Sequence, residues 1–142
     1  MTLSPLSLTE MKGVFKVTRE ELMAELLAAP EQIMAAEKEL LVASDALRWA
    51  EAALEDAKVN YLNGKAPADD GHWFAPAEPL INGKNAEQRD AQLKELTKRE
   101  RAAVQAAAAD VERRRAALRL AENRFRALRS VAALLAGEQV AA

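Results

Sequence analysis

Apolar residues recur every seven positions at Ile33, Leu40, Leu47, Leu54 and Tyr61, and Ala36, Ala43, Ala50 and Ala57 follow three places after each of the first four. A repeat of this period marks an α-helix that buries one narrow stripe against another helix, whereas a strand would alternate with period two. Large residues at one seam position and alanine at the other let the partner helix approach closely, because the spacing of two helices depends on the side chains between them. Asn63 and Gly64 supply a helix stop, so the spacing predicts a helix from about Pro30 to Leu62.

A second helix is expected over 86–136. Asn85 and Gln88 stand in capping-box spacing, and neither proline nor glycine appears again before Gly137, which is expected to stop it. At 1.5 Å per residue such a helix would be about 76 Å long. Its seam is Val104, Val111, Leu118, Phe125 and Ala132, interleaved with Ala107, Ala121, Leu128 and Leu135, while Leu93 and Leu96 follow a slightly shifted register. Arg114 falls inside this seam and is expected to fix register by pairing with a carboxylate near Glu31 or Glu37.

Gly64, Pro67, Gly71, Pro76, Pro79 and Gly83 crowd the connection over 63–85 and predict no regular element there. Two long helices so joined fold back antiparallel most simply, with residues near 86 beside those near 62 and residues near 117 beside those near 31. The expected fold class is all-α: one domain formed by a long, coiled-coil-like antiparallel helical hairpin. The second helix outruns the first, and its apolar surplus, Leu118 to Leu135, needs cover. A short helix over 19–28, opened by the capping box of Thr18 and Glu21 and cut off by a break at Ala29–Pro30, is the nearest cover. Residues 1–17 are expected to be irregular, with at most one turn between Ser7 and Gly13, and 137–142 to form a tail.

Composition narrows the function classes. The hydrophobic half of the chain is mostly Ala and Leu, with 4% aromatic and 30% charged residues, which suits long amphipathic helices rather than a sheet-centred core. With no cysteine, disulfides, thiolate metal sites and cysteine nucleophiles are excluded. No signal-peptide pattern or membrane span is apparent, so a cytoplasmic location is expected, in a bacterium or a phage-infected host. The net charge of −2 divides into −6 over residues 1–85 and +4 over 86–142. Pairing between an acidic and a basic helix accounts for most of this, and a basic surface for nucleic acid is the sharper alternative.

Several residues invite a functional reading. Asp69, Asp70 and His72 share the connecting loop, but His72 is the only histidine and loop aspartates are ordinary turn formers, so neither a metal site nor acid–base chemistry is expected. Trp73 and Phe74 must fold back on the hairpin or stay available to a protein partner, and folding back is favoured. Trp49 is expected to cover the flank of the first helix. Arg115, Arg119, Arg126 and Arg129 fall in one sector of the second helix and form a candidate phosphate-binding stripe, although no aromatics interleave them for base stacking. Gly83–Lys84–Asn85 lacks the other glycines of a phosphate loop. No catalytic, metal or cofactor set emerges, and neither enzymatic activity nor a small-molecule substrate is expected.

Leu27–Ala28–Ala29–Pro30–Glu31, the run from Asn82 to Arg89, and Arg124–Phe125–Arg126–Ala127–Leu128–Arg129 together resemble small α-helical coiled-coil proteins encoded by phages and prophages. The resemblance implies a phage accessory role, near DNA replication or recombination, and carries over no catalytic residue. The function expected from the residues is a noncatalytic protein-interaction or assembly module that binds a protein partner or itself as a homodimer. The alternative is a nucleic-acid-binding accessory protein that uses the arginine stripe.

Overall fold

The structure, a computed structural model, describes residues 18–141, with side chains to 137. The expected features of residues 1–17, including the Ser7 capping box and Gly13, lie outside the described residues. The elements are α1 (Arg19–Leu62), β1 (Ala66–Pro67), β2 (Trp73–Phe74), α2 (Ala86–Leu96) and α3 (Lys98–Ala141). The fold is the all-α helical hairpin that the heptads predict. It forms two compact units, a terminal one from residues 18–37 and 116–141 and a central one from Lys38–Arg115.

The capping box of Thr18 and Glu21 opens α1 as expected. The Glu21 N–H donates to Thr18 Oγ1 at 3.2 Å, and the Thr18 N–H donates to Glu21 Oε2 at 3.1 Å. The helix then runs through Pro30 without the expected break, so the 19–28 segment is the first part of α1 rather than a separate helix. Pro30 costs a hydrogen bond and a steric adjustment, about 3 kcal/mol in a helix interior. Tertiary packing offsets this cost, because Leu22, Leu26 and Ala29 continue the heptads of Ile33 and Ala36 upstream in unbroken phase. All five are buried or half-buried, while Pro30 faces out.

At its other end α1 closes with a Schellman arrangement. Gly64 has φ 80°, its N–H donates to Tyr61 O at 3.1 Å, and the Lys65 N–H reaches back to Asn60 O at 2.9 Å. The connection then holds a short antiparallel ribbon that the density of breakers did not suggest, pairing Ala66 with Phe74 and Pro67 with Trp73. Asp69, Asp70 and Gly71 make its three-residue loop. The Gly71 N–H donates to Ala68 O, the Ala68 N–H donates to His72 O, and Gly71 sits at φ 87°, where glycine carries no steric penalty.

Asn85 caps α2 by accepting the Gln88 N–H at 2.8 Å, while Gln88 Oε1 takes the Lys84 N–H at 2.9 Å. Gln92 ties the preceding loop down, accepting from both the Asn82 and Gly83 N–H groups and donating to Asn82 Oδ1. Gly83 is pressed against this turn so closely that a Cβ there would lie 2.8 Å from Gln88 Cβ and 2.9 Å from Arg89 N. Because helix backbone cannot yield cheaply, Gly83→Ala should cost about 1–3 kcal/mol. A denaturant unfolding curve with an unchanged midpoint would contradict this packing. The motif that superficially suggested a phosphate loop is thus a close-packed helix entry.

The second long helix differs from expectation at two places. It is interrupted at Thr97, which separates α2 from α3, and it passes through Gly137 to Ala141. Thr97 is fully buried; its hydroxyl donates to Leu93 O at 2.7 Å and accepts from Arg101 Nε at 3.0 Å. A threonine hydroxyl bonded to the carbonyl four residues back perturbs the helical ladder, although Leu93, seven residues before Glu100, already keeps the main heptad phase rather than the shifted one expected. Gly137 is not in the left-handed region, so it costs helix propensity without terminating the helix.

The core follows the seams. Along α1 every heptad residue from Leu22 to Tyr61 is buried or half-buried, with Ala57 only 2% exposed. Along α3 the same holds from Thr97 through Val104, Val111, Leu118, Phe125 and Ala132, and through Glu100, Ala107, Arg114, Ala121, Leu128 and Leu135. The antiparallel pairing is visible within each unit. Arg114 reaches Glu39 at 2.9 Å in the central unit, two residues beyond the partner expected near Glu37, with Asp110 at 3.6 Å on its own helix. In the terminal unit Arg124 reaches Glu25 at 2.8 Å, which ties the surplus of α3 to the start of α1. Both pairs are solvent-exposed and worth at most about 1 kcal/mol each, so they select register more than they stabilise.

Candidate interaction surfaces

The loop aromatics separate into two roles. Trp73 folds back as expected and meets Tyr61 edge-to-face, with ring centroids 5.0 Å apart and planes at 89°. Phe74, the next residue on the ribbon, points the other way and remains 48% exposed, since neighbouring side chains on a strand face opposite sides. Of the two, only Phe74 is open to a partner. His72, Asp69 and Asp70 are exposed in the ribbon loop, where Asp70 Oδ1 accepts the His72 backbone N–H at 3.1 Å.

Tyr61 is buried, and that burial raises its phenol pKa above the ordinary value of 10.0, with the nearby Glu100 carboxylate raising it further. Glu100 Oε2 is itself buried without a hydrogen-bond partner among the described residues. Above pH 10 the unfolded chain ionises its tyrosine before the folded chain does. The contribution of this group is therefore intact below pH 10 and is lost as pH rises through the folded pKa. Tyr61 is the only tyrosine, so tyrosinate absorbance follows it directly. Glu100→Gln should shift that titration to lower pH, and an unmoved titration would contradict the pairing.

The four arginines of the candidate stripe have different surroundings. Arg115 belongs to the central unit and is paired with Glu112 at 2.9 Å on its own helix. Arg119, Arg126 and Arg129 belong to the terminal unit and are exposed. Arg129 lies over the Phe125 ring at 5.8 Å, while the guanidinium groups of Arg119 and Arg126 meet no carboxylate among the described residues.

No family model, curated protein or solved structure matches the chain. The surfaces must therefore be read from their own chemistry.

Large apolar side chains stand in solvent along the outer side of α1. Trp49 is 77% exposed and Leu27 78%, and Met23, Met34, Leu41 and Val42 are similarly open. Trp49 thus does not cover the helix flank as expected; it sits two residues past the seam position Leu47, too far round the helix to reach the interface. On α3, Leu120, Val131 and Leu134 are exposed as well. Single exposed apolar residues are ordinary, but each unit carries several on α1, Met23, Leu27 and Met34 in the terminal unit and Leu41, Val42 and Trp49 in the central one. Sequence reasoning missed them because attention to the inner heptads hides residues one or two positions out of phase. Asking which large apolar residues the seam leaves over would have found them.

No helix of the described residues is long and apolar enough to cross a membrane. Among the same residues no group of three or more His, Asp or Glu side chains is placed to hold a metal ion.

Proposed function

We propose that this protein is a noncatalytic interaction or assembly module that binds a partner protein or further copies of itself. The observation that carries the reading is that α1 leaves large apolar side chains in solvent after its seam is filled, Met23, Leu27 and Met34 in the terminal unit and Leu41, Val42 and Trp49 in the central one. The seam accounts for folding, and these side chains do not contribute to it. They suit helix-in-groove or helix-on-helix recognition, where apolar anchors supply affinity. In the setting suggested by its resemblance, the module serves as a phage accessory protein in the cytoplasm. Immobilised protein should capture its partner, and Trp49→Gln combined with Phe74→Gln should weaken capture without moving the unfolding midpoint. Capture unchanged by both substitutions would count against the reading.

A second reading, nucleic-acid binding through Arg115, Arg119, Arg126 and Arg129, is favoured by the two guanidinium groups without carboxylate partners. Arg115 weakens it, because Glu112 already neutralises that charge. Fluorescence anisotropy of labelled single- and double-stranded DNA and RNA across a salt series separates the readings. Binding that fades steeply with salt, and is lost on reversing those four charges, would put nucleic acid first.

A further inference from the structure

The two sides of the terminal unit carry different and complementary patterns. Along both helices, residues that immediately precede a seam residue lie on one flank and residues that immediately follow lie on the other. Glu25 precedes Leu26 and Arg124 precedes Phe125, so their ion pair shows that the preceding flanks of the two helices share one face. The following flanks therefore share the opposite face. On this second face, which we call the front, Met23, Leu27 and Met34 of α1, followed by Glu37, lie beside Arg119, Arg126 and Arg129 of α3, with Glu122 among the arginines. On the back the order is reversed: the apolar residues Leu120, Val131 and Leu134 are on α3 around Arg124, and the carboxylates Glu21 and Glu25 are on α1, with Glu25 paired to Arg124.

We propose that the terminal unit stacks front to back on further copies of itself. This rests on the protein-interaction reading and names the partner. Turning a second copy by half a turn about the normal to the face lays its α3 over the first copy's α1 and its α1 over the first copy's α3. Leu120, Val131 and Leu134 then cover Met23, Leu27 and Met34, while Glu21, and Glu25 shared with its own Arg124, come over the arginines. A closed front-to-front dimer does not achieve this. One two-fold arrangement sets apolar α1 on the arginines of α3, and the other sets arginines on arginines. A heterologous contact of this kind leaves both end faces free, so it propagates beyond two copies unless the rotation closes into a ring.

The test is sedimentation velocity over a concentration series, with circular dichroism confirming that each variant is folded. The wild-type chain should grow past a dimer as concentration rises. A front variant, Met23→Gln with Leu27→Gln and Met34→Gln, should stay monomeric, and so should a back variant, Leu120→Gln with Leu134→Gln. Mixed in equal amounts, the two variants should form a dimer and stop there, because only one intact front and one intact back can meet. Reversal of Arg119, Arg126 and Arg129 to Glu should weaken wild-type assembly by at least about tenfold. A wild-type chain that stays monomeric throughout would overturn self-stacking while leaving capture of a different protein intact as a reading. A wild-type dimer that grows no further, with one of the two variants still dimeric on its own, would overturn it in favour of a closed two-fold contact.

Discussion

Ala57→Asp is expected to destabilise the hairpin by about 3–5 kcal/mol, the cost of an uncompensated buried charge. Ala57 is almost wholly enclosed at the small position of the α1 seam, where the neighbouring helix comes close because alanine allows it. Ala53, four residues earlier on the same helix, is exposed, and Ala53→Asp should cost no more than about 0.7 kcal/mol through helix propensity alone. Equilibrium denaturation of both variants gives the comparison. Similar losses at the two positions would mean that Ala57 is not in the interface.

Tyr61→Ala should be the next most costly change, about 3–5 kcal/mol for removing a large buried aromatic. Tyr61 is the last seam residue of α1 and also the platform on which Trp73 rests, so it couples the helix pair to the ribbon. A double-mutant cycle between Tyr61→Ala and Trp73→Ala should yield a coupling of about 0.5–1.5 kcal/mol. Additive losses would show that the ribbon docks independently of that contact. If the coupling is found, exposure of Phe74 is a consequence of fixing Trp73, since the two alternate on one strand.

The parts legible in the sequence were those written in heptads and caps. The α1 seam, the Thr18 capping box, the Asn63–Gly64 stop and the Asn85 cap were all readable, because each rests on interactions within a few residues or on a period repeated many times. What local signals suggested against that period was wrong. Pro30 looked like a break, yet Leu22, Leu26 and Ala29 already kept the phase of the seam across it, and packing along a continuous stripe offset the local cost. Gly137 looked like a stop, yet nothing there places the backbone in the left-handed region a terminus uses. Thr97 gave the opposite error. A single threonine in a helical run carries little sequence signal, and its effect comes from a hydroxyl buried where it must take the Leu93 carbonyl. The ribbon in the connection was visible only as Asp69–Asp70–Gly71 between short apolar pairs, too little to distinguish it from irregular loop. Among the candidate residues, Trp73 folded back as expected. Trp49, assigned to packing, is the most exposed aromatic among the described residues.

The central claim is that the inner seam holds the hairpin and that the apolar side chains α1 leaves in solvent do not contribute to it, which frees them for the partners we propose. It is tested most directly by the unfolding free energy, in dilute solution, of a chain carrying Met23→Gln, Met34→Gln, Leu41→Gln and Trp49→Gln together. The account predicts a change within about 0.5 kcal/mol per site, the usual range for surface positions. A loss of several kcal/mol at each site, unchanged by further dilution, would show that these side chains belong to the fold and would contradict the account.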